Sequence, residues 1–140
     1  MLGKNKAAGL DGSFVQCVGC KKTLFKREFE DNLHVCPQCG HHHRLTWQQR
    51  VALTFDDGSF QELDSSLRSG DPLEFPEYRE KLEAAVVKTG MNDSVVAGVA
   101  TIDGARVSTA IADFSFMGGS MGSVAGEKIT RTLERAAEDR

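Results

Sequence analysis

Apolar positions change their period along this chain. Three short runs come first, Phe14-Val15-Gln16, Thr23-Leu24-Phe25 and Leu33-His34-Val35, each β-prone and only three residues long. A helical period follows. Trp47, Val51 and Phe55 recur on one face behind Thr46, which is placed as an N-cap with Gln49 three positions on to complete a capping box, and Asp57-Gly58 ends the run. Residues 59–75 read as loop, punctuated by Asp71-Pro72 and Phe75-Pro76. Pro76 suits the first turn of a second helix, whose Tyr78, Leu82, Ala85 or Val86, and Thr89 share a face before Gly90 closes it.

The period then becomes that of a hairpin. Residues 95–102 and 106–112 are β-prone runs joined through Asp103-Gly104, a dipeptide suited to a type I′ turn. Both runs are nearly continuous in small and apolar residues, which predicts strands covered on both faces, with helices packed against the sheet. The second strand leads into a loop containing Gly118, Gly119 and Gly122, and then into a helix through Ile129, Leu133 and Ala136.

Composition places this pattern in an ordinary globular class: 140 residues, 40% hydrophobic and 26% charged. No apolar run approaches the roughly 20 residues that span a bilayer. Residues 1–12 are polar and glycine-containing and read as a flexible lead-in, with no apolar segment of a secretory signal. A cytoplasmic location follows, where paired cysteines are metal ligands more often than disulfides.

All four cysteines fall in two Cys-x-x-Cys pairs, Cys17/Cys20 and Cys36/Cys39, separated by fifteen residues. Two such pairs supply four soft thiolates, a closed tetrahedral set suited to one structural Zn²⁺, and a setting without redox partners favours zinc over iron. No position is left open for water or substrate, so the site fastens rather than catalyses. Short β runs around metal knuckles describe a zinc ribbon over residues 13–45, in which the ion substitutes for a core too small to form alone. Gly40 supplies the positive φ that a tight knuckle needs. His41-His42-His43 cannot converge on one ion from a regular backbone and reads as a solvated connector in which one imidazole caps or packs. His34, between the pairs, is a weaker alternative ligand.

Charge is uneven. Residues 1–45 carry a balance of +3, about +1 once four thiolates and Zn²⁺ are counted, and the remainder carries -6. Lys21, Lys22, Lys26, Arg27 and Arg44 surround the metal and support a second reading, a nucleic-acid-binding zinc ribbon. The acidic body offers no general attraction to polyanions.

The stretch from Asp113 to Ser123 joins a strand to a helix N-terminus through glycines, so backbone N–H groups can approach an anion or a polarised carbonyl. It matches neither a Walker A loop nor Gly-x-Gly-x-x-Gly, and a tight turn explains the glycines equally well. No nucleophile with an evident base accompanies it.

Taken together, Cys36-Pro37-Gln38-Cys39-Gly40-His41-His42-His43-Arg44-Leu45-Thr46, Asp57-Gly58-Ser59-Phe60, Asp71-Pro72-Leu73 and Phe116-Met117-Gly118-Gly119-Ser120-Met121-Gly122-Ser123 resemble, in order, the β subunits of bacterial-type acetyl-CoA carboxylase carboxyltransferases. The resemblance implies an α/β (α+β) chain: an N-terminal four-cysteine zinc ribbon followed, over residues 46–140, by the start of a crotonase-like ββα superhelix. It implies Cys17, Cys20, Cys36 and Cys39 as zinc ligands, and Gly118, Gly119 and Ser120 on the acyl-CoA side of the active site. The implied reaction moves a carboxyl group from carboxybiotin on a biotin carboxyl carrier protein to acetyl-CoA, giving malonyl-CoA. The implied partners are an α subunit, in an α2β2 heterotetramer, the carrier protein and biotin carboxylase. The family's later glycine segment, which provides the oxyanion hole, lies beyond Arg140, so these residues alone are expected to lack carboxyltransferase activity.

Overall fold

The computed structural model describes residues 12–139, and the chain divides into two compact units, with the break between Arg44 and Leu45. The lead-in expected over residues 1–12 lies, apart from Gly12, outside the described residues.

In the first unit, β1 (Phe14–Gln16) pairs antiparallel with β2 (Thr23–Phe25), placing Val15 opposite Leu24. A six-residue helix, α1 (Lys26–Asp31), follows at once. It has one apolar residue that is buried, Phe29, which joins Leu24, Cys17 and Cys36 in the unit's small core. Exposed i,i+4 pairs, Lys26 with Glu30 and Arg27 with Asp31, each at 3.8 Å, line its outer side. The third run expected as a strand is instead a turn. Leu33 and His34 both take positive φ (53° and 60°), and only Val35 bridges, antiparallel to His42. The α1 C-terminus forces this reversal, its last carbonyls accepting from the Asn32, Leu33 and His34 amides.

The second unit opens with α2 (Trp47–Thr54). Thr46 Oγ1 accepts from the Gln49 amide and Gln49 Oε1 accepts from the Thr46 amide, so the capping box forms in full. Phe55 falls just past the helix, in extended backbone. Within the expected loop lies a short strand, β3 (Gln61–Leu63), and then comes α3 (Tyr78–Thr89), closed by Gly90 at φ 71°. Pro76 sits two residues before this helix rather than in its first turn.

β4 (Val95–Ile102) and β5 (Ala105–Ala112) form the hairpin, with Asp103 at φ 50° and Gly104 at φ 79°, the two left-handed residues of a type I′ connection. β3 pairs on the other side of β4, giving the antiparallel order β3-β4-β5. Gly98 permits that pairing: a Cβ there would lie 2.3 Å from the Gln61 carbonyl oxygen and 2.9 Å from the Phe60 ring.

Successive residues Val95 to Gly98 are all buried, so β4 is covered on both faces as expected. β5 is not. Only Ile111 of its eight residues is buried, and its edge away from β4 has no strand partner among the described residues. Val96 joins Leu82, Ala85, Met91 and Phe116 in the main core, against which Trp47, Phe60 and Tyr78 pack.

The last helix, α4 (Ser123–Glu138), packs against β4 and β5 through Val124, Ala125, Lys128 and Thr132. The residues that marked it in the sequence lie elsewhere. Ile129 is half-buried, Ala136 exposed and Leu133 66% exposed. Among the described residues no helix is long and apolar enough to cross a membrane.

Candidate functional site

Two knuckles of the same form carry the cysteines. In the first, the Cys17 amide donates to Lys22 O and the Lys21 amide to Cys17 O, each at 2.9 Å; in the second, Cys36 N–H donates to His41 O and Gly40 N–H to Cys36 O, also at 2.9 Å. Each knuckle therefore needs a left-handed residue four positions after its first cysteine. The second has Gly40 there at φ 70°, and the first has Lys21 at φ 62°.

These knuckles bring the ligand atoms of Cys17, Cys20, Cys36 and Cys39 within 4.8 Å of one another. Cys17 and Cys39 sulfurs are 3.7 Å apart, and those of Cys20 and Cys36 3.8 Å. Disulfide sulfurs stand about 2.05 Å apart, whereas sulfurs bound to one Zn²⁺ at about 2.3 Å stand about 3.8 Å apart at tetrahedral corners. The spacing fits the ion.

Electrostatics point the same way. The Cys20 backbone amide draws the Cys17 thiol down to about 5 against the cost of its burial, and His43 adds to the effect. The His41 amide favours the Cys39 thiolate, but burial together with the surrounding sulfurs outweighs it, and the thiol rises to about 11. Sulfurs this close ionise together only around a cation, so metal binding and loss of their protons are coupled.

The histidines sort themselves by packing. His43 Nε2 lies 3.4 Å from Cys17 Sγ, and its ring meets Phe29 edge-on at 4.7 Å, so it orients a ligand rather than serving as one. His34 also packs edge-on against Phe29, at 4.9 Å, and is absent from the group of converging ligands. His41 explains an unforeseen glycine: a Cβ on Gly19 would lie 3.0 Å from His41 Cβ.

Gly118, Gly119 and Ser120 lie in the second unit, in a tight turn at Met117–Gly119 between β5 and α4. Gly118 and Gly119 take φ 68° and 76°, which accounts for both glycines conformationally. Gly118 is exposed with open space over its Cα, while a Cβ on Gly119 would meet the Phe114 ring at 3.3 Å. The Gly119 amide is engaged by Phe116 O at 2.8 Å.

Ser94 pins this segment at both ends. Its carbonyl accepts from the Asp113 amide at 2.8 Å, and its hydroxyl donates to Ser120 O. One residue on, Val95 O accepts from the ammonium of Lys128 at 2.8 Å; Lys128 is 2% exposed and is the largest fully buried side chain of the chain's described part. Asp113, 3% exposed, closes the frame by accepting from the Trp47 and Ser115 amides. Burial opposes its ionisation, and the Ser115 hydroxyl and amide with the Trp47 amide outweigh that, holding its carboxyl below the usual range. None of Ser94, Asp113 or Lys128 stands out in the sequence, because each acts through a long-range hydrogen bond.

Comparison with known proteins matches these two units. The acetyl-CoA carboxylase zinc finger domain matches residues 14–39, and the carboxyl transferase domain matches residues 41–140. The acetyl-coenzyme A carboxylase carboxyl transferase subunit beta of Citrifermentans bemidjiense is 45% identical over 133 residues, covering 93% of this chain and 47% of that protein. The subunit of the same name from Chloroflexus aggregans is 48% identical over 132 residues, 91% of this chain and 43% of its own length. The chain thus spans about half the length of the curated relatives it matches.

Among solved structures, a transcarboxylase 12S with hydrolysed methylmalonyl-coenzyme A bound is 25% identical with a TM-score of 0.54, over 79% of this chain and 19% of that one. A single-chain, multi-domain long-chain acyl-CoA carboxylase shares the fold at 22% identity and a TM-score of 0.56, over 81% of this chain and 11% of its own. β4, β5 and α4 accordingly form a ββα unit of the crotonase-like architecture, preceded by a zinc ribbon.

Proposed function

This chain belongs to the carboxyl transferase family, and on that basis we propose that it provides the zinc ribbon and the beginning of the catalytic domain of an acetyl-CoA carboxylase carboxyltransferase β subunit. The observation that carries the reading is the abutting order of the two family matches, residues 14–39 and 41–140, on the two units of the fold. In the assembled enzyme a carboxyl group passes from carboxybiotin, presented by a biotin carboxyl carrier protein, to acetyl-CoA, and malonyl-CoA leaves. The partners are an α subunit, in an α2β2 arrangement, and biotin carboxylase, and the setting is the cytoplasm.

Within this reading the ribbon holds one structural Zn²⁺ through Cys17, Cys20, Cys36 and Cys39. Thiolates at all four corners leave no Lewis-acid position, so the ion supplies folding energy and the ribbon takes no part in carboxyl transfer. The exposed turn at Gly118, Gly119 and Ser120 borders the acyl-CoA. Ser94 and Lys128 hold its flanks so that a thioester meets backbone of fixed geometry.

Several of the ribbon's bases are already engaged, which weakens the nucleic-acid reading. Lys26 and Arg27 are paired with Glu30 and Asp31, and Lys22 donates to Gln38 at 3.3 Å. The test isolates the complex through a tag on this chain and supplies acetyl-CoA and carboxybiotin. An α-type subunit should copurify, while malonyl-CoA should form no faster than with the α-type subunit alone, because the oxyanion-hole segment is expected outside these residues. Recovery of the chain without an α-type subunit would overturn the assignment, and turnover clearly above the α-only control would overturn the expected inactivity.

A further inference from the structure

Where α2 runs into the Phe55–Phe60 segment, the surface holds a groove of about 420 Å³ whose walls include Trp47, Val51, Phe55 and Phe60. The volume falls within the range of small-molecule sites. Phe55 and Phe60 are nearly parallel, with centroids 6.2 Å apart and 23° between planes, and Trp47 stands 6.0 Å from Phe60. Three aromatic rings therefore share one recess, and none of the residues lining it is basic.

Its other walls combine two acids with Gln48, Ala52 and Gly58. Asp56 and Asp57 both line the groove, Asp57 from an exposed position at the Asp57-Gly58 turn. Asp56 accepts from the Thr101 hydroxyl and from the Asp103 and Gly104 amides, all neutral donors, so the groups that satisfy its oxygens leave its negative charge in place. Those same bonds, with Thr101 first, keep its carboxyl below the usual range.

An aromatic floor attracts cations through the negative faces of its rings, and carboxylates reinforce the preference. We propose that this groove binds a small organic cation, an alkylammonium group with an apolar shell, between the Trp47, Phe55 and Phe60 rings and the Asp56 and Asp57 carboxylates. An anion would face two like charges here. A neutral apolar molecule of the same shape would gain the contacts and forgo the charge.

Nothing in this site depends on carboxyl transfer, so the test needs no enzymatic activity. Trp47 is the chain's single tryptophan, and its fluorescence reports the groove directly. The probe is choline, set against its uncharged carbon isostere 3,3-dimethylbutan-1-ol, at matched ionic strength. Choline should change Trp47 emission saturably, and the isostere should bind about tenfold more weakly. Asp57→Asn, which keeps a turn-forming residue before Gly58, should weaken choline about two- to fivefold. Phe55→Leu, which retains apolar bulk without a ring, should do the same. Equal binding of choline and the isostere, a choline effect reproduced by sodium chloride, or unchanged affinity in both variants would overturn the proposal.

Discussion

The two units of this chain reach order by different routes. The ribbon buries four side chains in its core, two of them cysteines, and closes on a cluster of sulfurs. The body buries an aliphatic and aromatic cluster around Leu82, Val96 and Phe116, ties α4 to β4 through buried Lys128, and ties the turn before α4 to the start of β4 through buried Ser94. Some thirty residues cannot bury enough apolar surface to offset their conformational entropy, whereas about a hundred can. The difference teaches that the most conspicuous residues in the sequence, the cysteines, serve the part of the molecule that has least chemistry to perform.

The largest effect should come from breaking the ribbon's route alone. Structural zinc contributes apparent free energies of about 10–16 kcal/mol in small zinc domains. Cys36→Ser, at a 1% exposed position, should therefore abolish ordered signals for residues 14–43 in NMR spectra while those of β4 and β5 persist. Collapse of both sets would mean the body leans on the metal.

The reciprocal change attacks the body. Leu82→Ala leaves a cavity in the main core and should cost about 2–5 kcal/mol in urea unfolding followed by circular dichroism. Zinc content per chain should stay the same. Release of metal from this variant would break the separation from the other side.

A smaller effect concerns the turn before α4. Gly118→Ala keeps a left-handed φ with open space around the new methyl, so the cost should be the conformational one, about 1–2 kcal/mol. Gly119→Ala adds contact with the Phe114 ring and should cost more in the same thermal melt. Equal stability of all three proteins would remove the strain from this turn.

The smallest effect sharpens the comparison within the ribbon. Lys21 occupies the left-handed position that glycine fills at Gly40 in the second knuckle. Lys21→Gly should relieve about 1 kcal/mol and raise zinc affinity about fivefold in a chelator competition. Weaker binding would assign the lysine side chain a role in holding the knuckle.

What could be read from the sequence was local. The cysteine spacing, the Thr46/Gln49 capping box and the Asp103-Gly104 turn are each specified within a few residues, and each appears as expected. What could not be read depends on partners far along the chain. α1 contains a single buried apolar residue, Phe29, and owes its existence to the ribbon core rather than to periodicity. β3 is three residues long and is held by β4 thirty-odd positions away, through a glycine that looked like any other.

The last helix shows the same limit more sharply. Its apolar marks, Ile129 and Leu133, suggest a core face, yet the packed face includes Lys128 and Thr132. A lysine reads as surface unless a backbone carbonyl waits for it, and Val95 O is 33 residues away. At the candidate site, Gly118 to Ser120 was legible as a special loop, whereas Ser94 and Asp113, which hold it, were not.

The central claim is that metal orders the ribbon while the body stands on its own core. Hydrogen exchange read by mass spectrometry, before and after removal of metal by a chelator, tests it directly. Amides between Phe14 and His43 should lose protection, and those of β4 and β5 should keep theirs. Protection retained in the ribbon, or lost together in both units, would contradict it.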